Sequence, residues 1–168
     1  MAVLEILKYP HPLLKKRSQE IEKIDENTRH LIQDMIETMY QAPGIGLAAN
    51  QVGRPVRLIV FDVTQKENGR NPSVLINPEI IETEGDQTVE EGCLSVPDLF
   101  SDVKRSAKVK IRGIDAKGNS LELCGEGMLA TVLQHEIDHL DGILFIDRLS
   151  SLKRALYKKR LQRKMKAE

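Results

Sequence analysis

The stretch Gln134-His135-Glu136-Ile137-Asp138-His139 decides how this chain is read. On an α-helix, residues four apart lie nearly one above the other, with a rise of roughly 6 Å. His135 and His139 can therefore aim two imidazoles at one point, a geometry that suits zinc, or iron in a similar site. Glu136 lies roughly 100° round the helix from His135, where it can flank a metal-bound water without ligating. Two histidines beside a carboxylate form the hydrolase arrangement HExxH. The same letters also arise by chance on surface helices, so the neighbouring residues matter. Met128, Thr131 and Val132 fall within roughly 60° of the histidine stripe, while Leu129, Leu133, Ile137 and Leu140 form the opposite apolar stripe. A helix apolar on both sides is expected to be buried. Histidines in such a place cost desolvation energy unless something ligates or hydrogen-bonds them.

A hydrolytic metal site needs three protein ligands and one open position. Gly142 fits the longer HExxHxxGxxH pattern of metzincins, but Phe145 stands where its last histidine belongs. Cys93, in Glu90-Glu91-Gly92-Cys93-Leu94-Ser95-Val96-Pro97, is the better candidate. Gly92 allows close backbone approach, Pro97 stiffens what reads as a loop, and a metal would hold the sulfur as thiolate. Cys124, between Leu123 and Gly125, reads instead as a small buried hydrophobe. A further segment, Gly44-Ile45-Gly46-Leu47-Ala48-Ala49-Asn50-Gln51, has small residues that admit a ligand or strand close to the backbone. Gln51 adds an amide able to donate to an oxygen without carrying charge.

The 168 residues suffice for one domain with a real core. Basic and acidic residues are equal at 25 each, so net charge points to no partner, but their distribution is uneven. Ser151 to Glu168 carries a net +7, leaving −7 on the remainder. No apolar run is long enough for a membrane span, and MAVLEILKYPHPLL lacks the features of a secretory signal. A cytoplasmic, reducing location is expected, where a Cys93–Cys124 disulfide is not.

Along the chain, Tyr9-Pro10-His11-Pro12 reads as extended or turn. Residues 25–42 show helical apolar spacing, with Asp25 or Asn27 as cap. Strands are expected at Arg57–Val63, Val74–Ile76, Glu79–Thr83 and Val103–Ile114. The last turns at Lys117-Gly118-Asn119 into Leu121–Leu123. The histidine helix runs from Gly127 to Leu140 and stops near Gly142, and a last helix covers 150–166. The expected fold is α+β: antiparallel strands packed around a central metal-binding helix, with an N-terminal and a C-terminal helix. Residues 1–149 form the catalytic part, and 150–168 a basic helix of the same single domain.

Taken together, GIGLAANQ (44–51), EGCLS (91–95) and QHEIDHLDG (134–142) resemble, in order and spacing, the three motifs of the peptide deformylases. YPHPLL and the length resemble the bacterial type 1 form. The resemblance implies metal ligation by Cys93, His135 and His139, usually of Fe²⁺, with Zn²⁺, Ni²⁺ or Co²⁺ able to occupy the site. It implies removal of the formyl group from N-formyl-methionyl nascent peptides by attack of metal-bound water, releasing formate. Glu136 would be general base and then acid, and Gln51 with the Leu94 N–H would stabilise the oxyanion. Met128, Thr131 and Val132 share the histidine face and are natural walls for the methionine side chain. The resemblance adds Ile45, Val89 and Glu91, and pairs the Gly46 backbone with the substrate. Pro97-Asp98-Leu99-Phe100 departs from members with a polar or basic residue near Phe100, which bears on residues beyond the methionine. The basic tail is either simply solvated or, as the resemblance suggests, contacts ribosomal RNA; the chain is expected to be monomeric. Two other readings stay open: a metallo-endopeptidase, which needs a groove open on both sides of the scissile bond, and a structural metal module, which usually has four protein ligands.

Overall fold

In chain order the elements are α1 (Glu26–Gln41), β1 (Gly46–Ala48), β2 (Leu58–Phe61), a single turn α2 (Gln65–Asn68), β3 (Ser73–Cys93), β4 (Val96–Ile114), β5 (Ser120–Glu126), α3 (Gly127–Leu140) and α4 (Ser151–Ala167). The computed structural model describes residues 2–167, apart from the side chains of Lys66 and Asn68. Its five strands form one antiparallel sheet in the order β1-β2-β3-β4-β5. All four residues of β2 are buried. Successive strand side chains point to opposite faces. Ile59 and Phe61 accordingly pack with Ala130, Leu133, Ile137 and Leu140 of α3. Leu58 and Val60 pack with Ile32, Met35 and Met39 of α1 on the other face. A strand covered on both faces needs a continuous apolar run, which is why RLIVFDV does not alternate. The architecture is the α+β arrangement expected, with α3 against one face of the sheet.

The strands are longer than their local sequence suggests. Val74–Ile76 and Glu79–Thr83 join into β3, and β4 begins at Val96, well before Val103. The two pair from Ile76–Ile114 to Cys93–Val96, with register slips at Ile76/Glu79, Ile80/Glu82 and Glu91/Cys93. Such slips bend a ladder without ending it. At the first of them Asn77 takes a left-handed conformation, φ 52°. Its side chain bonds the backbone N–H and carbonyl of Ile21 at 2.8 and 2.9 Å, tying the N-terminal segment to the sheet. Glu90 to Cys93 is thus strand, not loop, and only Leu94-Ser95 turns. Sequence periodicity cannot reveal this, because polar residues such as Glu82, Glu84 and Asp86 occupy an exposed reach of the ladder. Cys124 is exposed, contrary to its reading as a buried hydrophobe. Alternation along β5 turns Leu121 and Leu123 inward and Cys124 outward with Glu122 and Glu126.

Helix α1 is capped by Asp25, whose carboxylate accepts from the Thr28 N–H at 2.9 Å. Helix α3 ends before Gly142, which has φ 77°. A Cβ there would meet the Lys15 carbonyl oxygen at 2.5 Å, so glycine is needed twice over. The carbonyls left free at that helix end are all taken. Asn50 Nδ2 donates to His139 O at 2.5 Å, while Ser18 N and Arg57 Nη1 donate to Leu140 O at 2.7 and 3.0 Å. A third apolar cluster joins Leu14, Val96, Val103, Phe145, Ile146 and Leu161, so α4 is docked through Leu161. Among the described residues no helix is long and apolar enough to cross a membrane.

Leu133 is fully buried at the centre of the contact between α3 and the sheet. Leu133→Ala should cost about 2–5 kcal/mol, from lost transfer energy and the cavity left behind. Urea unfolding followed by circular dichroism checks this.

Candidate active site

Ala130 through Leu140 of α3 are buried without interruption, and six of those eleven residues are polar. Each polar group in such a place needs a partner. Gln134 finds one on β4, where its Oε1 accepts from Ser106 N at 3.0 Å and its Nε2 donates to Ser106 O at 2.9 Å. Asp138 binds Arg105 and Arg148. His135 and His139 turn the other way, onto the tip of the β3–β4 hairpin. Their Nε2 atoms lie 3.2 Å apart, and Cys93 Sγ lies 3.2 Å from His139 Nε2. One ligand atom from each of the three residues falls within 4.8 Å of the other two.

This donor set fits a divalent metal. Burial, followed by the charges of His135 and Arg105, holds the His139 imidazole well below the usual histidine range, so it stays neutral with a lone pair to give. Burial also opposes charge on His135, but Glu136, the Cys93 sulfur and Glu91 outweigh it and favour a cation there. The cluster therefore attracts positive charge to the place where three soft or borderline donors converge. The sulfur is further supported by the Ser95 N–H at 3.4 Å. Behind His135 the Glu91 carboxylate lies 2.9 Å from Nδ1, leaving Nε2 to face the cluster. The Phe145 ring stacks on His135 with centroids 6.4 Å apart. The residue that breaks the metzincin pattern is thus a packing wall for a ligand.

Glu136 sits beside the trio with Oε1 buried and unpartnered. Burial is the main reason its carboxyl is pushed up to about 7, with His135 pulling the other way. Gly46 lies so close that a Cβ would meet Glu136 Oε2 at 2.6 Å. Gln51 is fixed by its own oxygen, which accepts from Ala48 N at 3.0 Å. Its Nε2 is thereby aimed at the cluster, 3.0 Å from Ser95 Oγ and 3.7 Å from Cys93 Sγ. Leu7 N donates to Gln51 O and Tyr9 N to Ser95 O, at 2.7 and 2.8 Å, so the N-terminal segment straps both loops together.

A cleft of about 580 Å³ opens onto these groups. Ile45, Gly46, Gln51, Glu91, Cys93, Leu94, Met128, Thr131, Val132, His135 and Glu136 all line it. His139 lies beneath its floor, fully buried. Val89 does not line it: it sits further up β3, paired with Val103. Glu91 lines the cleft too, with both of its oxygens taken by Arg105, at 2.7 and 2.8 Å. Those two bonds and the one to His135 overcome the effect of burial and hold the Glu91 carboxyl below the usual range. The sequence reading missed Arg105 and Asp138 altogether. The signal available was an aspartate inside a buried helix, which requires a cation nearby. Lys8 was also missed; it lines the cleft and donates to Leu94 O at 2.9 Å.

Comparison with known proteins agrees with this geometry. A sequence profile of the polypeptide deformylases matches residues 3–155. A peptide deformylase of Syntrophobacter fumaroxidans is 52% identical over 99% of this chain and 98% of its own length. One from Thermodesulfovibrio yellowstonii is 51% identical over 98% of this chain and 99% of its own. The crystal structure of a peptide deformylase from Legionella pneumophila superposes with a TM-score of 0.92 at 43% identity, covering 99% of this chain and 97% of that one. The match runs through the cysteine strand, the histidine helix and nearly all of the fold around them, and the chain belongs to the polypeptide deformylase family, metal-dependent hydrolases that remove N-formyl groups from nascent peptides.

Proposed function

We propose that the cleft deformylates N-formyl-methionyl nascent peptides in the cytoplasm, with Cys93, His135 and His139 holding one divalent metal. Fe²⁺ is the working ion, and Zn²⁺, Ni²⁺ or Co²⁺ are able to take its place in purified protein. The observation that carries this reading is the convergence of those three donors within 4.8 Å beside the unpartnered Glu136 carboxylate. When bound, such an ion supplies Lewis acidity, which brings the pKa of water toward neutrality.

The chain's own residues do the rest. Glu136, buried beside the trio with one oxygen unpartnered, is placed both to take a proton from water and to return it to the departing amine. Gln51 Nε2 and the Leu94 N–H donate to the oxygen of the former formyl carbonyl as charge builds there. Gly46 leaves room for Glu136 and offers its backbone to the peptide. Ile45, Met128 and Val132 supply an apolar slot for the methionine, with Thr131 at its side. Arg105 and His135 engage Glu91 in holding the site rather than the substrate. The chain acts as a monomer, and the cations of α4 engage ribosomal phosphates, with residues 150–168 an extension of the one catalytic domain.

The direct test is anaerobic purification, metal analysis and a formate-release assay on formyl-Met-Ala-Ser. Absence of formate from metal-loaded protein would overturn the reading. Glu136→Ala should retain metal and lose roughly 10²–10⁴ in turnover, the range for a general acid–base; equal loss of metal would mean that Glu136 ligates. Gly46→Ala should bind metal normally but slow kcat, by as much as about 10²-fold, because the new methyl displaces the carboxylate. For α4, the exposed pair Lys159→Glu, Arg163→Glu should abolish low-salt cosedimentation with ribosomes and leave activity on the tripeptide unchanged. Binding that survives this charge reversal removes the role given to α4.

A further inference from the structure

Four charged side chains connect the metal trio to the surface on the far side of α3. Glu91 Oε1 lies 2.9 Å from His135 Nδ1. Arg105 holds the Glu91 carboxylate from Nε and Nη2, at 2.7 and 2.8 Å, and its Nη1 donates to Asp138 Oδ2 at 2.6 Å. Arg148 completes the series, donating from Nε to Asp138 Oδ2 at 2.5 Å and from Nη2 to Oδ1 at 2.6 Å. The side chains of Arg105, Glu91 and Asp138 are 2%, 4% and 9% exposed, whereas that of Arg148 is 43% exposed. Arg148 faces a second, shallow cleft of about 290 Å³ rather than the active-site cleft.

Within this set two guanidinium groups face two carboxylates. Without Arg148, two buried carboxylates share a single guanidinium. Removing one member of a buried ionic set leaves an unpaired charge that the others must rearrange to cover. Asp138 would then draw Arg105 toward itself, and the two-pronged grip on Glu91 would slacken. Glu91 accepts from the His135 Nδ1–H and so helps to fix the ring's tautomer and angle. Partners of this kind raise the basicity of a ligating imidazole and fix its direction.

We propose that Arg148 is a positioning residue for the metal centre, acting through Asp138, Arg105 and Glu91 on His135. The inference rests on the metal-site reading above and extends it to a residue that touches neither substrate nor ligand. A plain strut between the turn at Phe145–Arg148 and α3 would give stability alone.

Zinc-loaded Arg148→Gln and Arg148→Lys separate the two. Three quantities are measured: zinc affinity by chelator competition, the NMR resonance of the His135 Nδ1 proton, and Tm. Arg148→Gln should weaken zinc binding about tenfold and move the Nδ1 proton resonance, with kcat lowered and KM for a formyl peptide unchanged. Arg148→Lys keeps the charge without the two-pronged bond and should fall between. Lower Tm with unchanged zinc affinity and an unmoved proton resonance overturns the proposal. If Arg148→Gln fails to fold, Arg148→Lys decides: wild-type zinc affinity there overturns it equally. Zinc competition requires no turnover. Wild-type protein that binds zinc but releases no formate would therefore sink the deformylase reading and leave this test intact.

Discussion

The burial of α3 is the constraint on which the rest of the molecule depends. Its apolar stripe, Leu133, Ile137 and Leu140, is held against the sheet, and each such side chain contributes about 1.5–3 kcal/mol on burial. That docking carries Gln134, His135, Glu136, Asp138 and His139 out of water as well. An isolated buried polar group is costly, so the surrounding structure is shaped by what these five require. Ser106 on β4 is a backbone partner for Gln134, and Arg105 one residue earlier is an ionic partner for Asp138. Asn50, Ser18 and Arg57 close the helix C-terminus.

At the floor of the cleft, donors converge without being satisfied by protein. The two Nε2 atoms face each other and the Cys93 sulfur, and Glu136 Oε1 has no partner. On the same helix Gln134 and Asp138 are fully paired, so the deficit where three ligand atoms converge reads as a site. Its charge balance is asymmetric: one end is neutralised by arginines, while the end facing the cleft attracts a cation. The long β3–β4 hairpin exists in part to deliver the sulfur. Its register slips let two strands of 21 and 19 residues bend, bringing Cys93 at the tip onto His139.

The histidine helix, its limits and its stop at Gly142 were legible locally because all depend on short-range rules: a four-residue spacing, an apolar stripe, a left-handed glycine. So was β2, as an unbroken apolar run. The hairpin was not. Its middle is exposed and polar, and only pairing across the ladder extends it. Cys124 was misread for a related reason: small apolar neighbours in sequence say little about which face of β5 it takes.

By itself, then, the sequence determined the kinds of donor available, two imidazoles at helical spacing and a cysteine in a glycine-bearing segment, because those are properties of side chains and of nearest turns. Tertiary structure alone decided which groups meet. It set Cys93 against His139 across 46 positions of chain, placed Val89 opposite Val103 further up β3, and tied the Glu91 oxygens to Arg105 and His135. Contacts between residues far apart in sequence depend on how layers pack and how a ladder bends. No local pattern encodes either, since both follow from burying several elements at once.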